Sequence, residues 1–519
     1  MQKPGQRRRI LFAFGGVLAA ATAAIAVSVG PVGARNSVRD VASGRHLAVT
    51  GASYRALATR SIRLLESTYY NGTGLWHMCV PVTCNTKNRD WGADALTNVL
   101  YFRWLTAHDP TVLPLVRTLA STAHLWTPRE HGSSDSVMWD AVADVRMYQV
   151  TGSAVALAKA KAAIRWIGTV PGLATGACPA IDYQWPFGHR GRLKTIETES
   201  NYVKAALLLY QITGKQQYLQ QAQAQYALVR RYFFVRSARL YTAYLFDSGS
   251  ACRDVPGQYF ASVNGNMIWA GQALAAATGS SRYLSQAVAT ARSVQAHLSD
   301  GAGVFADLQA DNDITGPLVE AMYSLATTGH QAFAARWLIA NASAAGAADN
   351  SLGELGRFFD GPPPGSLATA WQISGGIALM QAAAALQPGG RPADPGFWAH
   401  ATFVADGRSL PGRSRHSQSR PSPAVRIAFT GRAIAIMGTI GDVCCMAGHA
   451  RVFVDGVQTF SRVGIWQNMS SPSRRQPDQV LFAWRWKTDG HHVITIRPAR
   501  YDREEGGSFF AMTGYEVVG

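Results

Sequence analysis

The chain predicts a multidomain protein, an α/α toroid of helical hairpins followed by an antiparallel β-sandwich. Three observations carry that reading. Thr-Gly recurs at the ends of helical stretches, a Pro/Gly-rich break falls at 387–396, and the apolar period changes from that of helices to two after the break.

The N-terminus comes first in order. Arg7, Arg8 and Arg9 precede an apolar run from Ile10 to Val29, and Val32-Gly33-Ala34 offers a small-residue cleavage site. This predicts a secretory signal over residues 1–36, or a signal anchor, since the run is long enough to span a bilayer uncleaved. A secreted or extracytoplasmic protein is expected, tied to a membrane only through residues 10–29.

Four Thr-Gly pairs then mark helical hairpins: Thr151-Gly152, Thr213-Gly214, Thr278-Gly279 and Thr328-Gly329. Each glycine can take the left-handed conformation that closes a helix. The apolar stripes that follow are Ala156, Leu157 and Ala160; Tyr218, Leu219 and Ala222; Tyr283, Leu284 and Ala287; and Phe333, Ala334 and Trp337. Successive pairs lie 62, 65 and 50 residues apart (213 − 151, 278 − 213, 328 − 278), enough for a helix pair and a loop. Long loops rich in Trp, Asp and Gly separate the hairpins and would gather on one face, which favours a toroid over an open solenoid. The toroid is assigned to 37–386 and the linker to 387–396.

From 397 to 519 the period is two, as in Val425-Arg426-Ile427-Ala428-Phe429, and Asp455-Gly456 signals a hairpin turn. About eight short strands are expected, read as a sandwich. Arg413 to Pro423 reads as an exposed loop.

The six cysteines fit an oxidising compartment. Cys79 and Cys84 enclose a short loop and are expected to bridge. Cys178 and Cys252 lie in long loops that a bridge could join, and adjacent Cys444 and Cys445 stay open between a strained ring and free thiols. No ligand spacing supports zinc, and no cofactor is expected. The formal charge of +17 suits an acidic envelope or anionic glycan, and scattered basic residues argue against nucleic acid. A monomer is expected.

A toroid site should combine carboxylates, as acid, base or nucleophile, with aromatic rings that stack on sugars. Four segments near helix starts supply both. They are Asp90-Trp91-Gly92-Ala93-Asp94, Ser133-Ser134-Asp135-Ser136 with Trp139-Asp140, Asp182-Tyr183-Gln184-Trp185, and Glu197-Thr198-Glu199-Ser200-Asn201.

The segment Asp135-Ser136-Val137-Met138-Trp139 through Arg146-Met147-Tyr148-Gln149-Val150-Thr151-Gly152 resembles glycoside hydrolase family 76, whose members have two adjacent aspartates, a Trp pair and a helix ending in Tyr-x-x-Thr-Gly. Trp91 through Leu96, Lys194 through Tyr210 and Asn264-Gly265-Asn266 are similar too, so the likeness runs over roughly residues 50–386. It implies an (α/α)6 toroid and a retaining endo-α-1,6-mannanase with a polysaccharide substrate, such as an envelope glycan. It also implies a nucleophile at Asp135.

The family's second aspartate, the acid/base, falls on Ser136, which cannot do that work at neutral pH. Two carboxyls about 5–5.5 Å apart are needed for retention. Glu199, standing where the family has asparagine, is the first replacement candidate, and Asp140, standing where it has the second Trp, is the other. Asp140 and Asp144 form an i, i+4 acidic pair that could equally be a solvated face. Trp91, Asp94, Ser136, Trp139, Trp185, Glu197, Asn264 and Asn266 are expected to bind substrate. Asp135 also suits an N-cap, and the tryptophans also suit a core.

Three functions remain open at this point. They are a hydrolase, a glycan-binding protein on a scaffold disabled at Ser136, and another toroid chemistry such as removal of unsaturated uronic acids. The C-terminal domain resembles galactose-binding-like accessory domains, which implies glycan or envelope attachment, although a purely structural role fits it too.

Overall fold

The Thr-Gly signals work through side-chain chemistry as well as through glycine. The computed structural model describes the chain from residue 51 onward, except 71, 73–75, 78, 81–90, 123–133, 170–173, 175, 182–192, 256, 307, 309–313, 349–354, 356–357, 363–367, 411–423, 441–449, 462–475 and 499–509. The hydroxyls of Thr151, Thr213 and Thr278 each donate to the carbonyl four residues back at 2.7 Å. They then accept the N–H two residues on, at 3.2–3.3 Å. Gly152, Gly214 and Gly279 take φ of 72°, 67° and 71°.

The fourth copy differs. Its helix stops at Thr327, whose hydroxyl donates to the Tyr323 carbonyl, and the positive φ falls on His330 at 51° rather than on Gly329. The Thr327-Thr328 repeat moves the stop one residue earlier.

Among the described residues twelve α-helices build the first part. They are α1 (Tyr54–Leu64), α2 (Trp91–Ala107), α3 (Leu113–Thr122), α4 (Ser134–Thr151), α5 (Ala154–Thr169), α6 (Ile196–Thr213), α7 (Gln216–Tyr232), α8 (Ala261–Thr278), α9 (Ser281–His297), α10 (Gly316–Thr327), α11 (Ala332–Ala347) and α12 (Ala370–Leu386). The even-numbered helices form a closed inner ring in which α2 packs on α4, α4 on α6, α6 on α8, α8 on α10, α10 on α12 and α12 on α2. Odd-numbered helices form the outer layer. This is an (α/α)6 toroid.

Inner helices are buried nearly all round, as α8 shows from Ala261 to Gly271, whereas outer helices keep one apolar stripe. Tyr218, Leu219 and Ala222 of α7 and Phe333, Ala334 and Trp337 of α11 are such stripes. Gly265 permits the tightest crossing, because a Cβ there would meet the Leu318 backbone nitrogen at 2.3 Å. The ring closes where the Tyr54 N–H donates to the Gly390 carbonyl and α1 packs on α12.

The C-terminal part is antiparallel, with seven strands among the described residues in one hydrogen-bonded sheet. Two of them are long, Val425–Ile440 and Gln476–Pro498, where short strands were expected. Val425, Ile427 and Phe429 share a core with Ile434 and Ile436. The register shift between Gly431 and Ala433 reverses the alternation, so both halves of the strand bury the same inner face and the sheet folds over one core. A side chain at Gly431 would strike the Val518 carbonyl at 2.5 Å.

This sheet is bound into the toroid, and Arg45–Gly519 forms a single compact unit. Ala306 and Leu308, between α9 and α10, lie in the sheet's core, and Ala347, Ala348 and Phe358 pack with Phe397, Trp398 and Ala433. The Asp300 carboxylate accepts N–H groups from Ala302, Val304 and Arg485 at 2.8–3.2 Å. Phe460 stacks on His297 and Tyr259 at centroid distances of 4.1 and 5.4 Å. Residues 257–260, 300–308 and 358 all precede inner helices, so the sheet docks on the face where those helices begin. Among the described residues no helix is long and apolar enough to cross a membrane.

Candidate active site

Hairpin topology makes the six inner helices run the same way, and first-turn residues of neighbours meet. Ser134 Oγ and Thr198 Oγ1, from α4 and α6, lie 2.9 Å apart. Ser262 Oγ, from α8, donates to Glu197 Oε1 of α6. All inner N-termini therefore open on one face, which is the mouth.

The direction of the axis is set deeper by an ionic cluster. Glu320 of α10 receives Arg146 Nη2 of α4, and Lys204 Nζ of α6 reaches Glu320 Oε2 at 2.6 Å. Arg146 lies 4.0 Å over the Tyr101 ring of α2, and Lys204 lies 5.5 Å from that of Trp269 of α8. Five of the six inner helices thus meet at one point inside the ring. Burial would raise the Glu320 carboxyl, but Arg146 and Lys204 outweigh it and hold it below its ordinary value; burial lowers Lys204.

Helical phase then sorts the candidates. At about 100° per residue, Asp135 and Trp139 each lie within about 20° of Arg146 around α4, and Glu197 lies within about 20° of Lys204 around α6. These three face inward, and Asp94, within about 20° of Tyr101 around α2, shares that phase. Glu199 is about 140° from Lys204, and Asn264 is about 140° from Trp269, so both point away from the lumen.

Partners agree with phase. Asp135 is half-buried in the first turn of α4, and its Oδ1 accepts the Ser136 N–H at 2.7 Å. Glu197 is half-buried in the first turn of α6, held by Ser262 and, at 3.5 Å, by Asn201 Nδ2. Asn266 Nδ2 donates to Asn201 Oδ1 at 2.9 Å, extending this polar layer onto α8. Trp139, 3% exposed, packs with Ala95 and Ile314, one turn below Asp135, with half-buried Trp91 against them.

The toroid fold is one that solved glycoside hydrolases have. An inactive variant of the α-1,6-mannanase GH76A of Salegentibacter sp. HEL1_6, with two aspartates replaced and alpha-1,6-mannotetrose bound, superposes with a TM-score of 0.56 at 19% identity, covering 65% of this chain and 100% of that one. A family 76 glycoside hydrolase from a bovine Bacteroides thetaiotaomicron strain gives 0.56 at 14% identity, covering 65% and 78%. The Lin0763 protein from Listeria innocua gives 0.53 at 17%, covering 64% and 97%. No family model and no curated protein matches the sequence.

Within that fold several expected site residues sit elsewhere. Glu199 is 0% exposed, and its Oε1 accepts the Ile181 N–H at 2.6 Å on the outer side of α6, leaving it no surface for a sugar. Burial pushes its carboxyl up to about 7, against the Ile181 N–H and Lys194. Asn264 clamps the Tyr241 backbone N–H and carbonyl and the Phe260 carbonyl. Its work is to hold a hairpin.

Asp140 and Asp144 do not form a solvated face. They are 4% and 1% exposed and share Lys159 at 3.7 and 3.6 Å. Asp94 joins them, its carboxyl raised well above the ordinary value by burial and then by Asp140. Burial also raises Asp144, to about 8. Ser136 is buried on the same side of α4, one turn before Asp140. The stripe faces α2 and α5, away from the lumen. Trp139 is covered by core neighbours rather than open for stacking.

Trp185 and the Asp182-Tyr183-Gln184 segment lie outside the described residues, as do Asp90, Cys84, Cys444, Cys445, residues 413–423 and the N-terminal signal. Cys178 and Cys252 are bridged, with Cα atoms 4.8 Å apart. Sequence reasoning missed the Arg146–Glu320–Lys204 cluster. Its signal was present, since Lys204 stands between Val203 and Ala205 and Glu320 between Val319 and Ala321, charges inside apolar runs.

Proposed function

We propose that the protein is a glycoside hydrolase acting on an α-linked, mannose-containing polysaccharide, with Asp135 as its nucleophile. The observation that carries this reading is the half-buried Asp135 carboxylate in the first turn of an inner helix, at the mouth of a toroid shared with α-1,6-mannanases. A helix N-terminus and the donating Ser136 N–H give this carboxyl the surroundings that suit a nucleophile attacking an anomeric carbon.

The reading includes export through residues 1–36, with action on an envelope glycan outside the cytoplasm. The sheet domain, packed on the mouth side, would then border the substrate rather than trail behind the enzyme. The competing reading is a glycan-binding protein, favoured by Ser136 where the family has its second carboxyl.

Incubation with α-1,6-mannan and related envelope glycans separates the two. Release of reducing ends by the wild type and their loss in Asp135→Asn support hydrolysis; saturable binding without any product supports the binder.

A further inference from the structure

Resting on the hydrolase reading, we propose that Glu197 is the second catalytic carboxyl, the acid/base that Ser136 cannot be. Geometry isolates it. Of the carboxyls near the inner helix starts, Glu199 faces outward onto the Ile181 N–H, and Asp94, Asp140 and Asp144 are gathered around Lys159 between helices. Asp94, seven residues before Tyr101 on α2, shares the luminal phase but is 7% exposed and tied to Asp140 and Lys159, whereas Asp135 and Glu197 are half-buried in the mouth layer, on adjacent helices joined there by the Ser134–Thr198 contact.

One hydrogen-bond partner of each suits a different role. A backbone N–H can only donate, so the one on Asp135 Oδ1 suits an accepting, nucleophilic oxygen. The Ser262 hydroxyl on Glu197 can donate to a carboxylate or accept from a carboxylic acid, which suits a group that alternates between the two. Ser262 is itself buried, and so is Asn266 behind Asn201, so this support is fixed in place.

The chemistry balances. The Asp135 carboxylate attacks the anomeric carbon as the bond to the glycosidic oxygen breaks, and Glu197 gives its proton to that oxygen, releasing an alcohol. Glu197, now ionised, takes a proton from water whose oxygen attacks the same carbon. The Asp135 ester bond breaks, Asp135 is again a carboxylate, Glu197 is again protonated, and one water has been consumed.

The test compares wild type, Glu197→Gln and Glu199→Gln on α-1,6-mannan and on a dinitrophenyl α-mannobioside, with and without azide. Glu197→Gln should lose at least about 100-fold on mannan. It should still release dinitrophenolate, which needs no proton, and azide should accelerate that release and give a mannosyl azide. Glu199→Gln should cleave mannan close to the wild-type rate. Glu197→Asp, which moves the carboxyl by one methylene while keeping the acid, should fold with the wild-type melting temperature and lose most mannan cleavage. An active wild type whose Glu197→Gln variant cleaves mannan normally, or loses both substrates equally with no azide effect, overturns the assignment. A wild type that cleaves no glycan overturns the hydrolase reading itself, and this assignment with it.

Discussion

Ser134 and Thr198 meet through their hydroxyls at 2.9 Å, and this contact joins the first turns of the two inner helices that carry Asp135 and Glu197. Thr198→Val keeps the shape and removes the hydroxyl. It should cost about 1 kcal/mol of stability. Steady-state kinetics should show kcat falling more than KM changes, because what is lost is alignment of the carboxyls. An unchanged kcat would show that the contact plays no part in positioning.

Glu320 sits between Arg146 and Lys204, so its removal leaves two cations buried together. Glu320→Gln should destabilise the toroid by about 3–5 kcal/mol, seen in urea unfolding. A change under 1 kcal/mol would mean that water already screens the cluster.

Glu199 makes stability depend on pH in a predictable sense. Its folded carboxyl titrates at about 7 against an ordinary 4.5, so the folded chain holds the proton more tightly than the unfolded one. Its contribution is complete below pH 4.5 and is lost as pH rises towards 7, by on the order of 3 kcal/mol. Glu199→Gln should flatten that part of the stability profile, and a profile identical to wild type would refute the buried neutral carboxyl.

Ser136→Asp would create a pair of adjacent aspartates like the one replaced in the inactive mannanase variant, yet here Ser136 leads the buried side that Asp140 and Asp144 occupy. A further carboxylate there faces three acids and one lysine, so the substitution should lower the melting temperature without raising turnover. Higher mannanase activity would speak against Glu197.

Cys178 and Cys252 close a 74-residue separation and tie the segment after α5 to the strand Cys252–Asp254. Cys252→Ser should cost about 2–4 kcal/mol. Equal melting temperatures for the variant and wild type would show that the bridge adds nothing.

The fold was legible where chemistry is local. Thr-Gly at 151, 213 and 278 encodes a hydroxyl back-bond and a left-handed residue, both properties of two adjacent positions. At 328 the same letters misled, because Thr327 beside them could make the bond first. Closure of the ring was not legible, since α1 and α12 meet from opposite ends of the domain. The site was legible as a set of acids but not as an arrangement. Glu197 and Glu199 look equivalent in sequence, and only the phase fixed by Lys204 tells that one faces the lumen. Asp140 and Asp144 left a catalytic role and a solvated face both open, because Lys159 and Asp94, their partners, lie on other helices.

The central claim, that Asp135 is the nucleophile at the toroid's mouth, is tested most directly by trapping. A fluorinated mannosyl fluoride that forms a slowly hydrolysed glycosyl-enzyme is reacted with the protein, which is then digested and mapped by mass spectrometry. The label is predicted on the peptide containing Asp135, at its carboxyl. Labelling of any other residue, or turnover with inversion and no label, would contradict the account.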